Sequence, residues 1–143
     1  MSKSNVELGK IFEQETNEWF LKKYNIQLKY DFVLKIGIES MKKEHKFDLG
    51  SNKNNIIIEC KTHKWTSSGN VPSGKMSVWN EAMYYFHVSP PNFRKIMFVL
   101  KDYSKKRNET LAQYYLKTNY HLIPNDVEFW EYDKNKKEAK KIK

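Results

Sequence analysis

Apolar residues change their spacing several times along this chain, and each change marks an element. Over residues 4–24 no proline interrupts, and Leu8, Ile11, Phe12 and Trp19 recur at helical spacing, which predicts a first helix with one apolar stripe. Ser4 followed by Glu7 has the spacing of a capping box and sets its start. The period then falls to two. Phe32, Leu34, Ile36 and Ile38 alternate with Asp31, Val33, Lys35 and Gly37, a strand with one apolar face. After the polar run 39–46, Phe47-Asp48-Leu49 and Ile56-Ile57-Ile58 flank a Gly-Ser-Asn-Lys-Asn-Asn segment and read as the arms of a hairpin.

Residues 62–75 are rich in Ser, Gly, Asn and Pro and predict a loop leaving the second arm. Over 76–88, Trp79, Ala82, Met83 and Phe86 form the stripe of a second helix, most simply core, which Pro90-Pro91 stops. Ile96-Met97-Phe98-Val99-Leu100 is a fully apolar strand, so strand, helix and strand make a right-handed crossover between parallel strands. A third helix over 108–117 carries Leu111, Ala112 and Tyr115, and 127–132 is a last aromatic strand. The order α-β-β-β-α-β-α-β predicts an α/β fold, a mixed central sheet flanked by helices, with no internal repeat.

Composition changes this picture little. The 143 residues suit one domain, and 39% hydrophobic with 15% aromatic content supplies a core despite 30% charged residues. A single cysteine, Cys60, excludes an intrachain disulfide, and no apolar run reaches membrane-span length; with no signal-like start, a cytoplasmic, soluble protein is expected. Net charge is +9, but residues 134–143 hold six lysines against one glutamate, leaving +4 for residues 1–133. The reading is a single domain over 1–133 and a basic tail over 134–143, with a polyanionic partner favoured.

Charge matters more where it is misplaced. Three β-branched residues describe a strand buried on both faces, yet Glu59 and Lys61 follow at once, sharing a face with Ile57 while Ile56, Ile58 and Cys60 share the other. Burying opposite charges there is costly unless a metal ion and a phosphate compensate. Two other Glu-x-Lys triplets, Glu44-His45-Lys46 and Glu138-Ala139-Lys140, lie in polar stretches and read as solvated pairs.

Asp48, ten intervening residues and Glu59-Cys60-Lys61 inside an apolar strand resemble the PD-(D/E)xK nucleases, the superfamily of type II restriction endonucleases and archaeal Holliday-junction resolvases, with Phe47 in place of the usual proline. The resemblance extends to the element order, which is that of the restriction-endonuclease-like core. Gly9 followed four residues later by Glu13 looks like the Gly-x-x-x-Glu of the resolvase-like members, whose first-helix glutamate helps bind metal; Glu15, within the apolar stripe, is its rival. The resemblance implies a divalent-metal-dependent endodeoxyribonuclease, restriction-like or structure-specific, acting as a homodimer because one chain provides one site. It also implies Asp48, Glu59, Glu13 and the Cys60 carbonyl as hard oxygen ligands for Mg²⁺, which Mn²⁺ would replace, and Lys61 beside the attacking water.

DNA contacts fall to His63, Lys64 and Lys75 around the loop, and to Asn80 off the second helix's apolar stripe. The loop itself reads either as a flap that closes over a phosphate backbone or as a plain connection. The four histidines and Cys60 lack zinc-ligand spacing, and nucleotide-loop, nucleophile-elbow, helix-turn-helix and zinc-finger patterns are missing. The competing class is a non-catalytic basic nucleic-acid-binding module on the same fold.

Overall fold

A computed structural model describes residues 3–143. Six strands form one mixed sheet in which spatial order follows chain order, a two-strand hairpin standing outside it. Helix α1 (Asn5–Tyr24) precedes an antiparallel meander of β1 (Lys29–Ile36), β2 (Lys43–Ser51) and β3 (Ile56–Lys61). Helix α2 (Ser73–His87) then crosses to β4 (Arg94–Leu100), parallel to β3. A two-strand hairpin, β5 (Tyr103–Ser104) and β6 (Glu109–Thr110), leads into α3 (Leu111–Thr118) and a short 3-10 turn; β7 (Val127–Asp133) returns parallel to β4. No described helix is long and apolar enough to cross a membrane.

Side-chain alternation in the central strands builds two cores. Ile57, Met97, Val99 and Phe129 face α2 and α3, where Trp79, Met83, Phe86 and Tyr115 cover them. Ile56, Ile58, Ile96, Phe98, Trp130 and Tyr132 face α1, which presents Phe12 and Phe20. The triple isoleucine is thus buried on both faces, as its composition predicts.

Three expectations need correction. The buried line of α1 runs Phe12, Thr16, Phe20, a strict i, i+4, i+8 row, while Leu8 stays 39% exposed. Thr16 enters that row because its hydroxyl donates back to the Phe12 carbonyl at 2.7 Å. Helix α3 starts at Leu111, not at 108, because Asn108 is left-handed in the β5–β6 turn and Thr110 with Gln113 makes a reciprocal capping box. The basic segment 134–143 is not a tail: β8 (Glu138–Lys141) pairs antiparallel with β7, and Lys143 Nζ donates to the Val127 carbonyl at 2.6 Å.

Candidate active site at a bend in the sheet

Phe47 packs into the α2-side core and Leu49, two residues on, into the α1-side core. In a regular strand these positions share a face, so the alternation breaks at Asp48. Across the ladder, between the pairs Tyr30–Leu49 and Phe32–Phe47, Asp31 takes a left-handed φ of 51°, a conformation aspartate tolerates. The break turns the Asp48 carboxylate onto β3, where Oδ2 accepts the Cys60 N–H at 2.8 Å. Gly50 makes room for the distortion, because a methyl there would collide with the Phe32 ring.

On β3, Glu59 and Lys61 share a face as the alternation requires. Lys61 Nζ lies 3.8 Å from Glu59 Oε2, with the side chains 17% and 10% exposed. Both line a recess of about 90 Å³ that His45 on β2 and Glu81 and Tyr85 on α2 also border. Burial, and after it the Asp48 charge, raises the Glu59 carboxyl to about 8 against the opposing pull of Lys61. Glu13 on α1 is raised to about 7, again by burial and then Asp48. Both acids therefore feel the Asp48 charge.

Glu15, the rival, points elsewhere: its carboxylate is 3.9 Å from Lys134, and burial, then Glu15, raises the pKa of the Tyr132 hydroxyl. Cys60 meets the site through its N–H on Asp48. Its thiol is turned to α1, donating to Thr16 Oγ1 at 3.6 Å, and burial pushes its pKa well up.

The predicted DNA contacts divide. His63 follows Lys61 closely, and its Nδ1 accepts the Trp79 indole N–H at 2.7 Å. Burial, then Lys61 and Lys75, lowers its pKa to about 4, so the ring is neutral at pH 7 and its proton sits on Nε2. Lys64 and Lys75 join His63 along a cavity of about 470 Å³ between α1 and the loop. Asn80 is engaged within the fold: its Oδ1 accepts from the Tyr115 hydroxyl at 2.7 Å and from Asn119 at 3.0 Å, tying α2 to the end of α3. The loop is no free flap either. Trp65 is buried with its N–H on Asp102 Oδ2 at 2.8 Å, and Arg107 donates to the Gly69 carbonyl at 2.9 Å while its guanidinium lies over the Trp65 ring.

No family model matches the chain, and no curated protein does. Among solved structures it is similar to the crystal structure of an FdxN element excision controlling factor protein from Anabaena variabilis, at 14% identity and a TM-score of 0.50, over 94% of this chain and 99% of that one. A likeness of this kind shows a mixed α/β fold of matching extent. The chemistry has to be read from the residues at the bend.

Among the described residues, no three His, Cys, Asp or Glu side chains are placed to hold a metal ion by themselves. The adjacent Asp48 and Glu59 nevertheless fit one ion class. Mg²⁺ is commonly held by one or two carboxylates, with waters and substrate phosphate oxygens completing its shell. Reading the sequence alone missed Asp31, His45 and Trp79. Of these, His45 was findable: it shares a strand side with Phe47, and it stacks on Tyr85 at 3.9 Å.

Proposed function

We infer that this protein is a divalent-metal-dependent endonuclease that hydrolyses DNA phosphodiester bonds, with Asp48, Glu59 and Lys61 as its PD-(D/E)xK set and Glu13 as the accessory acid. One observation carries the reading: at the bend the Asp48 carboxylate is held on the Cys60 N–H at 2.8 Å, between Glu59 and Lys61, whose side chains lie 3.8 Å apart, and burial with the Asp48 charge raises both Glu59 and Glu13. A fold gains nothing from such an acid cluster, whereas a hard cation would relieve it.

Asp48 and Glu59 would hold Mg²⁺, or Mn²⁺ in its place, and the bound ion would supply charge neutralisation at the phosphate and a more acidic water. The chain's own residues do the rest. The Cys60 N–H fixes the Asp48 carboxylate, so the acid is oriented before substrate arrives. Lys61, held beside Glu59 and only 17% exposed, directs its ammonium protons at the attacking water and the phosphate oxygens as charge develops there. DNA is the partner that the +9 net charge and the Lys64 and Lys75 side chains favour. Cutting both strands then calls for two copies of the chain.

The test is incubation of the purified protein with supercoiled plasmid, linear duplex and a four-way junction, in Mg²⁺, Mn²⁺ or EDTA, beside Lys61→Ala. Metal-dependent cutting that drops at least about 100-fold in Lys61→Ala, with DNA affinity within about twofold, is the expected result. Salt-sensitive binding with no cutting of any substrate would replace this reading by the binding module.

A further inference from the structure

The cavity of about 470 Å³ lies against the proposed site but is not part of it. Its lining includes Thr62, His63 and Lys64, the three residues that follow Lys61, and Phe12, the neighbour of Glu13. Its walls divide by chemistry. Leu8, Phe12 and Leu100 supply apolar surface, and Lys64, Lys75 and Lys134 supply positive charge. No carboxylate lines it, on a chain that carries 17 acidic residues.

Lys134 is engaged by Glu15 at 3.9 Å, whereas Lys64 and Lys75 enter no ion pair among the described residues. His63 joins the cavity to the site. The Trp79 N–H occupies its Nδ1, so its Nε2–H is the donor left for a ligand. After burial, the charges of Lys61 and Lys75 also bear on this ring. Asn5, the first residue of α1, sits on the rim, so the positive end of the helix dipole adds to the field.

Apolar walls with unpaired cations match a nucleoside monophosphate unit, whose base is flat and apolar on its faces and whose phosphate is anionic. A base inside a duplex is stacked on both sides and cannot enter such a cavity without being extruded. We propose that this cavity takes one unstacked nucleotide of the bound strand, its phosphate against Lys64, Lys75 and His63 Nε2–H and its base against Leu8, Phe12 and Leu100, so that the protein prefers DNA that is frayed, overhanging or flapped beside the cut. The inference rests on the nuclease reading for the place of the cut, and on the cavity alone for the nucleotide.

Binding in EDTA tests it without any need for cleavage. A duplex with a three-nucleotide overhang carrying 2-aminopurine is compared with the same duplex made blunt, by anisotropy and by 2-aminopurine emission. The expected result is about tenfold tighter binding of the overhang with a change in emission, in line with the stacking of one base on apolar side chains. Lys64→Ala with Lys75→Ala should remove most of the preference, and so should Leu8→Glu, a change at an exposed wall position that leaves the core untouched. Equal affinity for blunt and overhanging DNA overturns the proposal. Displacement of the overhang by free deoxynucleoside monophosphate at equal affinity also overturns it, since the cavity would then serve a small molecule. Cleavage without overhang preference sinks this inference alone, and overhang preference without metal-dependent cleavage sinks the nuclease reading alone.

Discussion

Burial, and after it the Asp48 charge, raises two neighbouring acids, and the shifts have a pH signature. Glu59 is lifted from its ordinary 4.5 to about 8, so the folded chain holds a proton that the unfolded chain releases. The stability due to this group therefore falls as pH rises from about 4.5 to about 8. Glu13, raised to about 7, adds a smaller fall of the same sign. His63 acts oppositely: kept neutral down to about 4, it costs stability as pH drops below 6.5, and His45 shares that direction. Comparing wild type with Glu59→Gln isolates the acid. In EDTA the wild-type melting midpoint should fall between pH 6 and 9 by roughly 5 °C more than that of the variant, and millimolar Mg²⁺ should close most of the gap. Parallel profiles for the two proteins would show that Glu59 titrates normally and would remove the electrostatic case for a cation. Glu59 and Lys61 stood out in the sequence because charge at the end of an apolar strand is conspicuous and the period of two fixes their face, whereas Asp48 was singled out by the resemblance and lies where that period breaks. Asp31 was not, since its importance lies in a left-handed φ that a single aspartate in an alternating strand does not announce.

Elements were legible where their own apolar pattern drives them, and obscure where hydrogen bonds or neighbours decide. The period of α2 placed Trp79, Met83 and Phe86 in the core, but said nothing of the Trp79 N–H holding His63. Asn80 lies off that stripe and reads as a solvent-facing contact, yet it is the acceptor that satisfies a buried tyrosine. Asn80→Ala should therefore cost about 1–3 kcal/mol in chemical denaturation, by orphaning the Tyr115 hydroxyl, and leave DNA affinity unchanged. A variant of wild-type stability with weakened DNA binding would restore the contact reading. The bend makes a second demand, at Gly50. Gly50→Ala pushes a methyl into the Phe32 ring, and overpacking of this kind costs about 1–3 kcal/mol. Because Gly50 lies two residues from Asp48, metal affinity should suffer as well as the melting midpoint. A loss of stability alone would mean that the bend does not depend on this contact.

At the scale of the molecule, the central question is what the lysine-rich end is for. Lysine is poor strand material, Glu138-Ala139-Lys140-Lys141 has no apolar face of its own, and by pattern the segment reads as a solvated tail. Its order comes from its partner. Trp130, Glu131, Tyr132 and Asp133 pair with Lys141, Lys140, Ala139 and Glu138, and the Phe129 N–H donates to the Lys143 carbonyl at 3.0 Å. A strand that owes its place to a neighbour's hydrogen bonds leaves no periodicity to read. Removing residues 134–143 would uncover the β7 edge beside Trp130 and Tyr132, the outer wall of the α1-side core, and an uncovered edge of that kind recruits other chains. It would also take Lys134 from the cavity and from Glu15. Truncation at Asp133 should therefore lower the melting midpoint by at least about 5 °C and produce concentration-dependent association in sedimentation. Neutralising the charge while keeping the strand, with Lys136→Gln, Lys137→Gln and Lys140→Gln, should leave the midpoint within about 2 °C and only flatten the salt dependence of DNA binding. If the truncated chain melts like the full one and differs only in salt dependence, the segment is an electrostatic tail after all and the sheet ends at β7.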